Sequence, residues 1–280
     1  MPDGLNAPDA AVPQKARLGL LGFGFVGEAT AHALTPVADV AWHDPAKVGS
    51  RPLEDLLRWA EVLCICVPTP QGEGGAADLR FVREVVASIA DQRPGCPTLL
   101  RSTVPPGTTE ALVQEFPEVP LVFIPEFLRQ RCHLRDAAAP SRVVLGWSSA
   151  VSPALRVPVR ALFARRFPEV PRLEMSAVDA ELLKVAANAL FGVKVSFANE
   201  MHELAQRVGA DWGTVRDGLV LDPRIGDGHL SVPGPDGAFG FGGACLPKDM
   251  AGLLALAASA GVELEVVAAA VRVNGRVRGR

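Results

Sequence analysis

A short apolar run that breaks into spaced glycines constrains the fold of this chain most. Residues 17–27 read RLGLLGFGFVG, and the segment EATAHAL that follows has helix-forming composition. Gly22, Gly24 and Gly27 form a G-x-G-x-x-G pattern where a strand turns into a helix. At such a turn the missing side chains let a phosphate approach the backbone and lie at the helix N-terminus. The segment predicts a strand-turn-helix unit that binds a nucleotide.

Strands and helices alternate along the rest of the first half of the chain. The segments ADVAWHD, EVLCICV, TLLRST and LVFIPEF have strand composition, whereas RPLEDLLRWA and DLRFVREVVASIA have helical composition. SRVVLG, the helical ALRVPVRALFARRF and RLEM complete this unit. The alternation predicts an α/β domain of Rossmann type, with a parallel sheet and right-handed crossovers.

An acidic residue refines the nucleotide prediction. Asp44 follows the second predicted strand, where a carboxylate accepts hydrogen bonds from an adenosine ribose hydroxyl and repels a 2′-phosphate. This favours NAD over NADP. The alternative, that the glycines serve only the tight packing of strand on helix, is disfavoured because strand, glycines, helix and acid occur in register.

The sequence changes character after residue 176. Residues 176–208 form one amphipathic pattern that opens with a serine and an early acidic residue, as a helix N-terminus does. A loop rich in Gly and Pro follows at 222–243, then a further helical stretch and a basic ending, which we interpret as a frayed tail. We predict a loose leader at 1–15, an NAD-binding Rossmann domain at 16–176 and a mostly helical substrate and dimerisation domain at 177–280.

Composition limits the partners. Apolar residues make up 49% of the 280 residues and charged residues 21%, which is typical of a globular protein. The net charge of −3 gives no general attraction to nucleic acid, and no apolar run is long enough to predict a membrane span. Five cysteines without a C-x-x-C pair argue against a disulfide framework and a zinc site. We expect a cytoplasmic protein without a metal, nucleic-acid or membrane partner.

The segment FGFGGACLPKDM carries the clearest candidate nucleophile. Glycines before Cys245 allow a ligand to approach the backbone, and Pro247 suits the first turn of a helix. The positive helix end and Lys248 would both favour the thiolate, which attacks carbonyl groups far better than the thiol. The alternative for Cys245 is an inert, buried core residue.

The long predicted helix adds a second cluster. Lys184 and Asn188 are four residues apart and share a helix face, with Glu181 on the adjoining turn. One ammonium and one amide on one face can contact the same ligand. The alternative is a lysine on a solvated helix face.

Taken together, these motifs resemble the UDP-glucose 6-dehydrogenase and GDP-mannose dehydrogenase family. The resemblance runs from about residue 17 to about residue 250 and is carried, in the family's order, by GFGFVG, CVPTP, STVPPGTT, PEFLR, AELLKVAAN, FANE, DPRIG and GFGGACLPKD. It implies NAD-dependent oxidation of a sugar-nucleotide primary alcohol to the carboxylate, in two hydride transfers. Cys245 would capture the aldehyde as a thiohemiacetal and then carry a thioester.

The resemblance also implies a set of site residues. Lys184 and Asn188 would stabilise oxyanions, and Asp249 would order or deprotonate water. Glu126 would be the acid/base of the hydrolytic half, positioned with water by Thr103. The cofactor residues would be Gly22, Gly24, Phe25, Val26, Gly27, Asp44, Lys47, Pro68, Thr69, Thr103 and Lys248, and the substrate residues Glu126, Phe127, Leu128, Arg129, Lys184, Asn188, Arg224, Phe239, Gly240 and Gly242, with Arg224 reaching across a homodimer.

Two departures from the family leave alternatives open. PEFLR is followed by Gln130 and Arg131, where the family usually has Glu-Gly, and the chain stops at Arg280 without the family's second α/β domain. We therefore expect a short form that lacks the C-terminal nucleotide-binding domain and forms a homodimer through the 176–208 helix and the last helix. The alternatives are a two-electron, β-hydroxyacid-type dehydrogenase acting on a non-nucleotide substrate and a non-catalytic NAD-binding or scaffold protein.

Overall fold

A computed structural model of the chain describes residues 15–279, so the predicted leader lies outside the described part except for Lys15. Within that part, the first half forms a seven-stranded sheet with the strand order β2-β1-β3-β4-β5-β6-β7. The strands are β1 Ala16–Leu21, β2 Ala38–His43, β3 Val62–Ile65, β4 Thr98–Leu100, β5 Leu121–Phe123, β6 Val143–Trp147 and β7 Arg172–Ser176.

Both faces of the sheet are covered, which explains why its central strands are continuous apolar runs. Leu18 and Leu20 point into a core formed with one set of helices, while the neighbouring Leu21 points into a core on the opposite face. The covering helices are α1 Phe25–Leu34, α2 Leu53–Trp59, α3 Arg80–Gln92, α4 Thr108–Glu115, α5 His133–Ala138 and α6 Pro153–Arg166. The α/β prediction is confirmed, although α4 and α5 were not predicted.

The sheet is not wholly parallel, and that expectation is wrong for one strand pair. β6 pairs antiparallel with β5, through Val122 with Trp147 and Phe123 with Gly146. The connection between these strands contains a 3-10 turn at Gln130–Cys132 and the short α5, and the chain returns along the sheet instead of crossing back to the starting edge. β7 follows the longer α6 and pairs parallel with β6, as expected for a strand-helix-strand crossover.

One long helix, α7 Ala177–Val208, follows the last strand directly. The Ser176 side chain accepts a hydrogen bond from the Asp179 backbone N–H at 3.1 Å, and Gly209 ends the helix in the left-handed region at φ 75°. Gly146 of β6 lets α7 lie close to the sheet, because a Cβ there would be 2.6 Å from the Cβ of Ala180. The predicted helix is confirmed.

Three more helices complete the described chain: α8 Trp212–Val220, α9 Leu246–Ser259 and α10 Glu265–Arg278. The expectation of a frayed basic tail is wrong up to Gly279. Val277 is buried, and the Arg278 guanidinium pairs with Asp236 at 2.6 Å, so the ending packs against the Gly/Pro loop. None of the helices within residues 15–279 combines the length and apolar character that a bilayer crossing requires.

Candidate active site

The glycine turn between β1 and α1 contains two glycines that packing requires and one that it does not. Gly22 has φ 92°, and a Cβ there would lie 2.8 Å from the carbonyl oxygen of Cys66. A Cβ on Gly27 would collide with the carbonyl oxygen of Gly22. A Cβ on Gly24 would meet no described atom within 4 Å. Open space over Gly24 leaves room for a ligand to approach the backbone.

Asp44 lies beside this turn. Its carboxylate accepts hydrogen bonds from the backbone N–H of Phe23 at 2.8 Å and of Ala46 at 3.0 Å. Phe23 stacks on Trp42 with ring centroids 4.3 Å apart. Lys47, three residues after Asp44, is exposed. The carboxylate is thereby held at the end of β2, close to the glycine turn.

These features fit a dinucleotide. Gly24 precedes α1, and no side chain among residues 15–279 caps the start of that helix. The first N–H groups of a helix are unsatisfied and carry partial positive charge, so they can receive a pyrophosphate. Phe25 and Val26 form the first residues of α1. Phe25 also makes an edge contact with His133, with centroids 6.2 Å apart.

The loops after β3 and β4 are tied together at the carboxyl edge of the sheet. Thr69 follows Pro68 in the loop after β3, and its hydroxyl donates a hydrogen bond to the backbone oxygen of Thr103 at 2.8 Å. The Ser102 hydroxyl donates to the backbone oxygen of Val67 at 2.7 Å. Ligands of open α/β sheets bind in the crevice at this edge. The predicted residues Pro68, Thr69 and Thr103 are therefore brought together there.

A buried ion pair joins the loop after β5 to α7. The Lys184 ammonium lies 2.8 Å from one carboxylate oxygen of Glu126, with 5% and 6% of the two side chains exposed. The other Glu126 oxygen accepts a hydrogen bond from the Leu128 N–H at 2.8 Å. The ammonium is also 5.7 Å from the ring centroid of Phe127. Lys184 is buried, so the alternative that it is a lysine on a solvated helix face is wrong.

A second polar cluster links α7 to the start of α9. The Asn188 amide donates to one oxygen of the Asp249 carboxylate at 2.6 Å. The Lys248 ammonium lies 2.6 Å from the other oxygen. Asn188 and Asp249 are buried, and a buried carboxylate needs such partners. The structure thus brings three predicted site residues from two helices together.

Cys245 lies directly before α9 and is partly buried. Burial is the main reason that the pKa of its thiol is raised, and the carboxylates of Glu126 and Asp249 raise it further. Lys184 and Lys248 act in the opposite direction without outweighing these effects. The expectation of a stabilised thiolate is therefore wrong in direction. The ammonium of Lys248 is already paired with Asp249.

Cys245 is nevertheless within electrostatic range of the predicted catalytic groups, since the charges of Glu126, Asp249, Lys184 and Lys248 all act on the pKa of its thiol. A small cavity of about 20 Å³ lies between Lys248 and Asp249 and the loop after β4, which contributes Thr103 to its lining. The arrangement offers a nucleophile, cations and an amide for a developing oxyanion, and two carboxylates that can exchange protons.

A cleft of about 380 Å³ extends from Glu126 along the loop that also carries Phe127, Leu128 and Arg129. Phe191 and His229 line it as well and stack with ring centroids 4.1 Å apart. Sequence reasoning missed both. The seven-residue spacing from Lys184 along α7 could have indicated Phe191. The Gly/Pro loop gave no signal for His229, the non-glycine residue with positive φ (71°) among the described residues.

Three of the predicted substrate residues contact α10. Gly240 and Gly242 pack against α10, because a Cβ on either would collide with Asn274 or Arg278. Phe239 is exposed, and its carbonyl oxygen accepts from the Arg278 guanidinium at 2.9 Å. In this chain the glycines serve close packing against its own helix.

Arg224 projects outward from the Gly/Pro loop. Its side chain is 87% exposed and pairs with Asp222 at 2.5 Å. It makes no described contact with the cluster around Cys245, and its reach across a dimer stays a prediction. Arg131, one of the two residues that depart from the family pattern, donates a hydrogen bond to the Pro235 carbonyl and so joins the loop after β5 to the Gly/Pro loop.

Comparison with known proteins identifies two domain types in this chain. Residues 49–164 match the NAD binding domain of the UDP-glucose/GDP-mannose dehydrogenase family, and residues 178–276 match the central domain of that family. The first match begins after the glycine turn. The order of the two matches agrees with the α/β part and the helical part of the structure.

Individual relatives agree. UDP-glucose 6-dehydrogenase TuaD of Bacillus subtilis is 33% identical over 230 residues, which cover 79% of this chain and 48% of the relative. The UDP-glucose 6-dehydrogenase of Pseudomonas aeruginosa is 35% identical over 228 residues, covering 78% and 49%. The chain spans about half the length of these curated relatives.

A solved structure shares the fold. The UDP-glucose dehydrogenase of the hyperthermophilic archaeon Pyrobaculum islandicum superposes with a TM-score of 0.82 at 29% identity, over 98% of this chain and 70% of that one. The chain carries the NAD binding domain and then the central domain of this family, and it belongs to the UDP-glucose/GDP-mannose dehydrogenase family.

Proposed function

We propose that this chain oxidises the primary alcohol of a sugar nucleotide such as UDP-glucose to the carboxylate, using NAD in two hydride transfers through Cys245. The observation that carries the proposal is the cluster of Cys245, Lys184, Asn188, Asp249 and Glu126 at the carboxyl edge of an NAD-binding sheet. The relatives named UDP-glucose 6-dehydrogenase support this substrate class.

NAD, when bound, accepts a hydride at each oxidation. In the first oxidation the alcohol gives a hydride to NAD and its hydroxyl proton to solvent, leaving an aldehyde. The Cys245 sulfur then bonds to the aldehyde carbon, and the carbonyl oxygen becomes an oxyanion that the Lys184 ammonium and the Asn188 amide stabilise. Because burial and two carboxylates raise the pKa of Cys245, the sulfur enters as a thiol, and its proton passes to the oxyanion to give the hydroxyl of the thiohemiacetal.

The second half releases the product. The thiohemiacetal gives a second hydride to NAD and its hydroxyl proton to solvent, and it becomes a thioester. Water adds to the thioester carbon and gives a proton to Glu126, the C–S bond breaks, and Glu126 returns that proton to the Cys245 sulfur, while the carboxylic acid product releases its own proton to solvent. Glu126 is the acid/base for this water, with Thr103 as its positioning residue, and Asp249 orders it. Glu126 must first release Lys184, with which it pairs at 2.8 Å.

Counting NADH tests the proposal. The chain is incubated with excess NAD and limiting UDP-glucose, GDP-mannose or a UDP-N-acetyl sugar, and NADH is measured at completion. Two NADH per sugar nucleotide is the expected yield. One NADH would favour the two-electron alternative, and none with every substrate would favour the NAD-binding or scaffold alternative.

An apolar stripe on α7 supports the proposal that the chain forms a homodimer. Leu182, Leu190, Phe197 and Leu204 recur every seven or eight residues and are 47–58% exposed. This spacing places them on one helix face, and exposed apolar faces of this kind mark interfaces.

The five free cysteines suit a reducing compartment, which supports the proposal that the protein lies in the cytoplasm. The domain boundary between residues 176 and 177 stays a prediction.

A further inference from the structure

Glu181 is a buried carboxylate that the proposed chemistry does not use. It lies on α7, three residues before Lys184, and none of its surface is exposed. Its oxygens accept hydrogen bonds from the Gly107 N–H at 2.6 Å, the Thr109 N–H at 2.8 Å and the Thr109 hydroxyl at 2.5 Å. The side chain therefore reaches from the helical part of the chain to the start of α4.

The residues that Glu181 holds belong to the loop after β4. That loop carries Thr103 and is tied to the loop after β3 by the hydrogen bonds of Ser102 and Thr69. Gly107, the residue before α4, has no side chain that could cap this helix. A carboxylate supplied by α7 takes that place and complements the positive end of α4. The contact thus fixes α7 to the loops after β3 and β4, which carry the predicted cofactor residues Pro68, Thr69 and Thr103 and are called the cofactor-side loops below.

Adjacent turns of α7 carry the groups proposed to stabilise the oxyanion. Lys184 pairs with Glu126 on the loop after β5, and Asn188 holds Asp249 beside Cys245. Glu181 lies one turn before Lys184 on the same helix, and it anchors that helix to the loop after β4. A shift of α7 relative to that loop would change two distances at once, from Thr103 to Lys184 and from Thr103 to Asn188.

We propose that Glu181 is a positioning residue, which sets the spacing between the cofactor-side loop at Thr103 and the Lys184 and Asn188 groups on α7. The inference rests on the proposed function for its catalytic consequence. A carboxylate taken wholly out of water is costly even with three donors, and burial raises the pKa of Glu181 above its ordinary value. A positioning role gives a reason for keeping a charge here.

The test compares Glu181→Gln with Glu110→Gln. The amide of glutamine keeps the shape of the side chain but places a donor against one of the donors of Gly107 or Thr109. Glu110 lies on α4 and accepts hydrogen bonds from the Ser149 N–H at 3.0 Å and hydroxyl at 2.7 Å, so its substitution removes a comparable contact away from α7. If Glu181→Gln does not fold, Thr109→Val removes one donor from the same contact.

The first readout needs no substrate. The pKa of the Cys245 thiol is raised by Glu126 and lowered by Lys184, so it reports how α7 lies against the loops. Alkylation of Cys245 by iodoacetamide is followed across pH by mass spectrometry of its peptide. We expect the midpoint to shift by about half a pH unit or more in Glu181→Gln, and to stay at the wild-type value in Glu110→Gln.

The second readout is turnover with UDP-glucose. We expect kcat to fall at least about tenfold in Glu181→Gln, with the KM for NAD within about twofold of wild type, because misplaced groups lose transition-state stabilisation rather than cofactor binding. A folded Glu181→Gln protein with a wild-type alkylation midpoint overturns the inference. If the wild type turns over no sugar nucleotide, the proposed function fails while the alkylation midpoint still decides the role of Glu181.

Discussion

Replacing Gly24 by alanine separates cofactor binding from folding. A Cβ at Gly24 meets no described atom within 4 Å, and the backbone there is extended, with φ −77° and ψ −165°, which alanine adopts without strain. The substitution also reduces the freedom of the unfolded chain. We therefore expect Gly24→Ala to fold with unchanged or slightly raised stability, by about 0.4–1 kcal/mol.

The same methyl group would occupy the space in which a pyrophosphate approaches the backbone. We expect NADH affinity to fall at least about tenfold, which corresponds to about 1.4 kcal/mol. The assay is NADH fluorescence titration together with urea unfolding. Gly27→Ala is the control: its Cβ would collide with the Gly22 carbonyl oxygen, so it should lose about 1–3 kcal/mol of stability through overpacking. If Gly24→Ala binds NADH as tightly as wild type, the cofactor does not lie over this turn.

Further predictions concern the catalytic cluster and the α7 stripe. Lys184→Met leaves the Glu126 carboxylate buried without its cation, so urea unfolding should show a loss of about 3–5 kcal/mol; unchanged stability would mean that the pair is not formed in solution. Asp249→Asn removes one of the carboxylates that raise the pKa of Cys245, so more thiolate is present at pH 8 and iodoacetamide should alkylate Cys245 faster than in wild type. An equal or slower rate would contradict this electrostatic account. Leu190→Glu, on a side chain 58% exposed, should convert a homodimer into a monomer by light scattering; a wild type that is already monomeric would refute the proposed interface.

The α/β architecture could be predicted because it depends on local patterns. Apolar runs ending at glycine or proline indicate buried strands, and Ser176 with Asp179 marks the start of α7. The direction of β6 could not be predicted in this way. It depends on whether the connection after β5 crosses the sheet, and the residues of β6 have the same composition in either direction.

The site shows a similar division. The motifs predict which side chains meet, and the pairing of Lys184 with Glu126 and of Asn188 with Asp249 brings them together. The sign of the pKa shift of Cys245 could not be predicted, because burial and Glu126, which is remote in sequence, outweigh the neighbouring Lys248.

Local sequence was also insufficient at the end of the chain. The basic residues around Arg278 suggest a solvated tail, but the partners of Arg278, Asp236 and the Phe239 carbonyl, come from a distant loop. Packing against α10 also explains two glycines of that loop, because a Cβ on Gly240 would collide with Asn274 and a Cβ on Gly242 with Arg278.

Turnover of Cys245→Ser tests the central claim most directly. Serine keeps the size of the side chain, but its hydroxyl is not ionised at neutral pH without a dedicated base. NADH release from UDP-glucose and NAD is followed spectroscopically for wild type and variant, with NADH binding measured in parallel. We predict that the variant binds NADH like the wild type and shows no steady turnover, whereas wild-type turnover in Cys245→Ser would contradict the thioester account.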